Sequence, residues 1–118
     1  DEKIADPVLR DAIVQNGMNQ RSYSATQRRA MAESDSGGTP TFATSLFKYY
    51  ASEMGKERLE IQLKAMGTQA LGWEGDMFSD AEKTLTRGWL RSKAGSIAGG
   101  SSEVQLNIIA KRVRGLPD

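Results

Sequence analysis

The sequence predicts an all-α protein, a single domain over residues 1–118 folded as an antiparallel, up-and-down four-helix bundle. Three observations carry this expectation. Apolar residues recur at roughly helical spacing in four stretches; glycine-rich breaks of about 6 to 11 residues separate them; and nothing alternates polar with apolar as a half-buried strand would.

The first helix opens at Asp6-Pro7, a side-chain cap followed by proline at the first helical position. Val8, Leu9, Ala12, Ile13, Tyr23, Ala30 and Met31 then mark one face to about Ala32. Ser34-Asp35-Ser36-Gly37-Gly38-Thr39 is a loop by composition. Thr39-Pro40 repeats the cap-and-proline start, and Phe42, Leu46, Tyr50, Met54, Ile61 and Ala65 continue a stripe to about Thr68, with Gly55 its weak point. Gly67 through Met77 forms the second loop. Ser79-Asp80-Ala81-Glu82 is a capping box, after which Phe78, Leu85, Trp89 and Leu90 ride the third helix. The fourth helix is announced by Gly99-Gly100-Ser101-Ser102-Glu103, carries Val104, Ile108, Ile109 and Val113 on one face, and stops at Arg114-Gly115-Leu116-Pro117. Leu46, Tyr50, Met54, Trp89, Ile108 and Ile109 are expected to be mostly buried in one core.

Composition narrows the chemistry. A chain of 118 residues buries roughly two-thirds of its unfolded surface, enough for a modest core. Sixteen basic and 15 acidic side chains leave a net charge of +1, which argues for neither nucleic acid nor a membrane surface as partner. With no cysteine and no histidine, disulfides, thiol nucleophiles, histidine bases and nearly all transition-metal sites fall away, and no metal is expected. No apolar run reaches the roughly 20 residues of a membrane span, and no leader pattern opens the chain, so the expected location is cytoplasmic. Asp1-Glu2-Lys3 starts without methionine, as a cut through a longer protein would. Between Arg87 and Arg114, six cations (Arg87, Arg91, Lys93, Lys111, Arg112, Arg114) face only Glu103, so a basic face for a phosphate or an acidic partner competes with plain solvated helix surface.

The glycine loop is the most informative stretch. Gly99 and Gly100 leave the backbone bare for close approach, and uncapped N–H groups at a helix start favour an anion or a carbonyl oxygen. The string Ile97-Ala98-Gly99-Gly100-Ser101-Ser102-Glu103-Val104-Gln105, continued by Asn107-Ile108-Ile109-Ala110-Lys111-Arg112-Val113 and Gly115-Leu116-Pro117, resembles the C-terminal signature of the acyl-CoA dehydrogenase family of flavoenzymes.

That resemblance implies the C-terminal four-helix bundle of a longer FAD-dependent enzyme of lipid metabolism, one that desaturates an acyl-CoA thioester at the α,β position and passes electrons to an electron-transferring flavoprotein. In the family this bundle supplies cofactor contacts and the homo- or hetero-oligomer interface. One implied FAD contact is the Gln-x-x-Gly-Gly loop, here Gln69-Ala70-Leu71-Gly72-Trp73, in which Trp73 stands for the second glycine; in the family it reaches the cofactor of a neighbouring subunit. The other is Gly100-Ser101-Ser102-Glu103, where Ser101 and Glu103 carry over as FAD contacts. Backbone N–H groups at Gly99 or Gly100 would hold the thioester oxygen of the substrate, since the α-proton becomes acidic only when the developing enolate is stabilised. Many members carry the catalytic glutamate where Gly99 stands. No catalytic residue is therefore expected in this chain, and the chain alone is expected to be inactive. A base-less subunit of a heteromeric dehydrogenase and a stand-alone helical interaction module remain the alternatives.

Overall fold

A computed structural model describes residues 4–37 and 43–117 of the chain. Four helices carry the fold: α1 Pro7–Asp35, α2 Ala43–Met66, α3 Asp80–Ser92 and α4 Ser102–Ile108. Short 3₁₀ turns follow α2 (Gly67–Leu71) and α3 (Lys93–Ser96), and α4 runs into a π-helical turn, Ile109–Val113. Among the described residues there is no strand, and the architecture is an all-α helical bundle. The Thr39-Pro40 start and Phe42 lie outside the described residues.

The helix starts follow from local chemistry. Asp6 Oδ1 accepts from the Val8 and Leu9 N–H groups at 2.8 and 3.3 Å, satisfying donors that have no partner within the helix. At α3 the capping box closes from both sides: Ser79 N–H donates to Glu82 Oε2 at 2.7 Å and Glu82 N–H donates to Ser79 Oγ at 3.3 Å. Ser101 Oγ accepts from Val104 N–H at 3.3 Å and caps α4. The last helix ends as expected at Gly115, but its final turn is wider than an α-helix. Arg114 N–H reaches Ile109 O, and Leu116 N–H reaches Ala110 O, each at 3.1 Å. Gly55 does not interrupt α2.

Helix α2 is the hub, packing on α1, α3 and α4, whereas α1 makes no extensive contact with α3 or α4. Cross-helix bonds give the directions. Asn16 Nδ2 donates to Glu57 Oε2 at 2.8 Å, while Tyr23 OH, seven residues on, donates to Phe47 O at 3.4 Å. Thr86 Oγ1 donates to Ala70 O at 3.2 Å, and Ser96 Oγ to Glu53 Oε1 at 3.1 Å. Both α1 and α3 therefore run antiparallel to α2.

The core is narrower than the apolar stripes suggest. Met54, at 8% exposure, and Ile61 are buried, while Trp89, Ile108 and Ile109 are half-buried. Leu46 and Tyr50, expected inside, are 38% and 39% exposed, and Val8, Ile13, Met31, Leu90, Val104 and Val113 are exposed as well. A stripe is buried only where a second helix covers it, and α1 and α4 each pack chiefly on α2. The same openness shows in the dimensions, 54 × 33 × 27 Å with a radius of gyration of 17.9 Å. A compact chain of this length would have about 13.5 Å. The accessible surface, 8633 Å², is more than a third larger than the roughly 6,300 Å² of a compact monomer of this mass.

Candidate functional site

The glycine loop is held by α2. Gly99 and Gly100 take φ of 70° and 102°, a left-handed backbone that side chains rarely adopt. At Gly99 nothing stands within 4 Å of where a Cβ would be, whereas at Gly100 a Cβ would sit 2.6 Å from the Gln105 side-chain nitrogen. Gln105 itself is buried, its amide folded over the glycine. The Lys48 ammonium donates to the Gly100 carbonyl. Because the peptide is trans, the Ser101 N–H on the same unit points away from Lys48.

A carboxylate fastens both stems of this loop. Glu53 Oε1 accepts from Ser96 Oγ at 3.1 Å and from Ser102 Oγ at 3.2 Å, and pairs with Lys56 Nζ at 2.9 Å. Lys56 also donates to Ser96 Oγ. The Lys56 bond is the main reason the Glu53 carboxyl is held below its ordinary range; partial burial opposes it, and the Ser96 and Ser102 hydroxyls assist. Glu103 is exposed in the first turn of α4. Its own backbone N–H, then the Ser101 hydroxyl, keep its carboxyl low as well. Both carboxylates therefore favour the ionised form.

The second loop is built differently. Gly72 is buried with φ −73° and ψ 120°, values any residue adopts, so conformation does not require glycine there. Space does: a Cβ would lie 2.4 Å from the Phe78 ring. Its N–H donates to Gln69 O at 3.2 Å. Gln69 is exposed and Trp73 is 49% exposed. Arg87 clamps Trp73, donating from Nη2 to its carbonyl at 2.9 Å and laying the guanidinium 5.1 Å from the ring centroid. Lys93 takes a similar position over Trp89, at 4.5 Å.

The residues singled out from sequence thus fall into two groups. Gly99, Gly100, Ser101 and Glu103 sit beside the Lys48 and Glu53 level of α2, and Gln69, Gly72 and Trp73 lie beyond its C-terminal end. Met66 lies thirteen positions after Glu53 on α2, which places the two loops roughly 20 Å apart along the helix. Lys48, Glu53, Lys56 and Ser96 were not apparent as site residues from the sequence, whereas Arg87, counted there in the basic face, clamps Trp73. The serines flanking the glycines six positions apart, and an acid three positions before a lysine on the preceding long helix, were the available signals. A groove of about 490 Å³ between α1 and α2, reaching Ser92 at the end of α3, is lined among others by Gln20, Tyr23, Met54, Gly55 and Lys56; it takes in none of the residues of the glycine signature or of the Gln69–Trp73 loop.

The sequence model of the acyl-CoA dehydrogenase C-terminal domain matches residues 2–114. The chain belongs to the acyl-CoA dehydrogenase family. It is similar to acyl-CoA dehydrogenase IpdE1 of Mycolicibacterium smegmatis, 32% identical over 115 residues, which are 95% of this chain and 26% of the relative. It therefore spans about a quarter of the length of that acyl-CoA dehydrogenase. No solved structure matches the chain. No helix among the described residues of this acyl-CoA dehydrogenase domain is long and apolar enough to cross a membrane.

Proposed function

We propose that this chain is the C-terminal bundle of an FAD-dependent acyl-CoA dehydrogenase, acting in a longer polypeptide that desaturates an acyl-CoA thioester in the cytoplasm and delivers electrons to an electron-transferring flavoprotein. The family match over residues 2–114 carries the reading. The glycine loop supports it: Gly99 has open space on its backbone, and the exposed Glu103 carboxylate, kept ionised, can accept a ligand hydroxyl's hydrogen bond. FAD, when bound, supplies the hydride acceptor. Ser101 and Glu103 would contact the cofactor of the chain's own active site, and the Gly99 and Gly100 backbone would face the thioester. Gln69 and Trp73 would meet a second cofactor, held by a neighbouring subunit, as the family's Gln-x-x-Gly-Gly loop does. Gly72 would act behind them, keeping the turn tight against Phe78.

Which group removes the α-proton is a separate matter. Gly99 offers no side chain, and Glu53, the carboxylate fastened to this loop, is occupied by Lys56 and two serines. The base would then come from elsewhere in the polypeptide or from a partner subunit, and the base-less subunit of a heteromeric enzyme is the second reading that Gly99 favours. The test is to purify the longer polypeptide and record its visible spectrum before and after adding acyl-CoA anaerobically. A flavin spectrum that bleaches supports the first reading. A yellow protein that bleaches only with a partner subunit supports the second, and a colourless one that takes up no FAD rejects both.

A further inference from the structure

Glu53 lies on α2, away in sequence from every residue of the family signature, yet one of its oxygens receives hydroxyls from both sides of the glycine loop. Ser96 ends the turn before Ile97–Ser101, and Ser102 is the first residue of α4 after it. The two bonds, at 3.1 and 3.2 Å, tie the ends of a five-residue loop to one atom. Lys56 anchors that atom at 2.9 Å, and Lys48 pins the Gly100 carbonyl inside the loop. We infer that Glu53 is a positioning residue for the Gly99–Gly100 backbone, fastening both stems so that the loop holds its ligand-facing conformation before a ligand arrives.

The physical case rests on the cost of ordering. Two adjacent glycines in left-handed conformations are the most permissive backbone available, and an unfastened loop would sample many arrangements. Ordering it on binding would subtract from affinity; ordering it in advance, through α2, removes that subtraction. Charge suits the task, because a carboxylate accepts several hydrogen bonds at once and those bonds are stronger than neutral ones. Lys56 balances its charge without displacing either serine. The inference rests on the proposed flavin-site reading only for the identity of the ligand. The fastening itself is a property of these residues.

The test uses the full-length polypeptide carrying Glu53→Ala, Glu53→Gln and the pair Ser96→Ala with Ser102→Ala. Hydrogen exchange of peptides spanning 97–104 reports the loop, and FAD titration followed by visible absorbance reports its readiness. Losing two charge-assisted bonds should speed loop exchange by about tenfold or more in Glu53→Ala and in the serine pair, with α1 unchanged. The FAD dissociation constant should rise by about tenfold in parallel, and Glu53→Gln, which keeps an acceptor oxygen, should restore both to within about threefold. Unchanged loop exchange in the alanine variants overturns the inference, as does faster exchange with unaltered FAD affinity. Failure of Glu53→Gln to rescue overturns it too. If Glu53→Ala does not fold, the serine pair decides the same question. A wild-type polypeptide that binds no FAD would sink the proposed function, while the exchange data would still decide whether Glu53 fastens the loop.

Discussion

At the scale of single residues, two glycines that look alike in sequence are present for different reasons. Gly100 holds a left-handed backbone against a folded glutamine, whereas Gly72 has an ordinary backbone and is small because Phe78 covers it. Gly72→Ala should thus cost about 1–3 kcal/mol by overpacking. Combining it with Phe78→Leu should return part of the loss in denaturant melts, a coupling that a purely conformational role would not produce. Glu53 adds a pH signature. Its carboxyl is held below the ordinary range, so the folded state favours the ionised form more than the unfolded chain does. Its contribution is complete above the usual carboxylate range and disappears as pH falls through the lowered value. Melting temperatures of wild type and Glu53→Gln should accordingly differ near neutrality and converge in acid. Parallel curves across that window would show that the charge plays no part.

At the scale of elements, the caps were legible because they are written in adjacent residues. Asp6, the Ser79–Glu82 box and Gly115 all act where the sequence put them, and of the two serines before α4, either of which could cap it, Ser101 does. Ser79→Ala should lower stability by about 1 kcal/mol in thermal or urea melts, since the Ser79 hydroxyl and the reciprocal Glu82 bond are both in place. What the sequence could not convey was which part of each stripe finds a partner. Period identifies a face, but burial depends on how far the neighbouring helix extends and at what angle. Leu46 and Ile61 share one stripe of α2, and only Ile61 is buried. Ile61→Ala should cost about 2–5 kcal/mol, the range for a filled core site. Leu46→Ala should cost about 1 kcal/mol, and equal losses would mean that α2 is covered along its whole length. The site divided the same way. Residues of the glycine signature were recognisable because they are contiguous, while Lys48 and Glu53 reach them across about 50 residues of intervening chain, beyond what local spacing records.

At the scale of the whole molecule, the open surface dominates. Val14 and Met18, one turn apart on α1, and Leu46 and Tyr50, one turn apart on α2, are exposed, and the accessible surface of 8633 Å² is well above that of a compact monomer. The chain on its own should therefore self-associate at high micromolar concentration, raising the mass measured by light scattering; a strict monomer there would contradict it. It should also fail to retain FAD, because a large ligand needs most of its surface enclosed and these loops touch only parts of it. A purified chain that stays yellow through gel filtration would refute this. The hub arrangement of α2 has one more outcome, in the order in which the molecule comes apart. Since α1 docks almost wholly on α2, it can detach without disturbing α3 or α4, so opening need not be all-or-none. The first amides to exchange in concert should be those of α1, in a step of lower free energy than global unfolding. Mutations confined to α1 and to α4 should then add in their effects, while any change at Met54 or Ile61 weakens every part together.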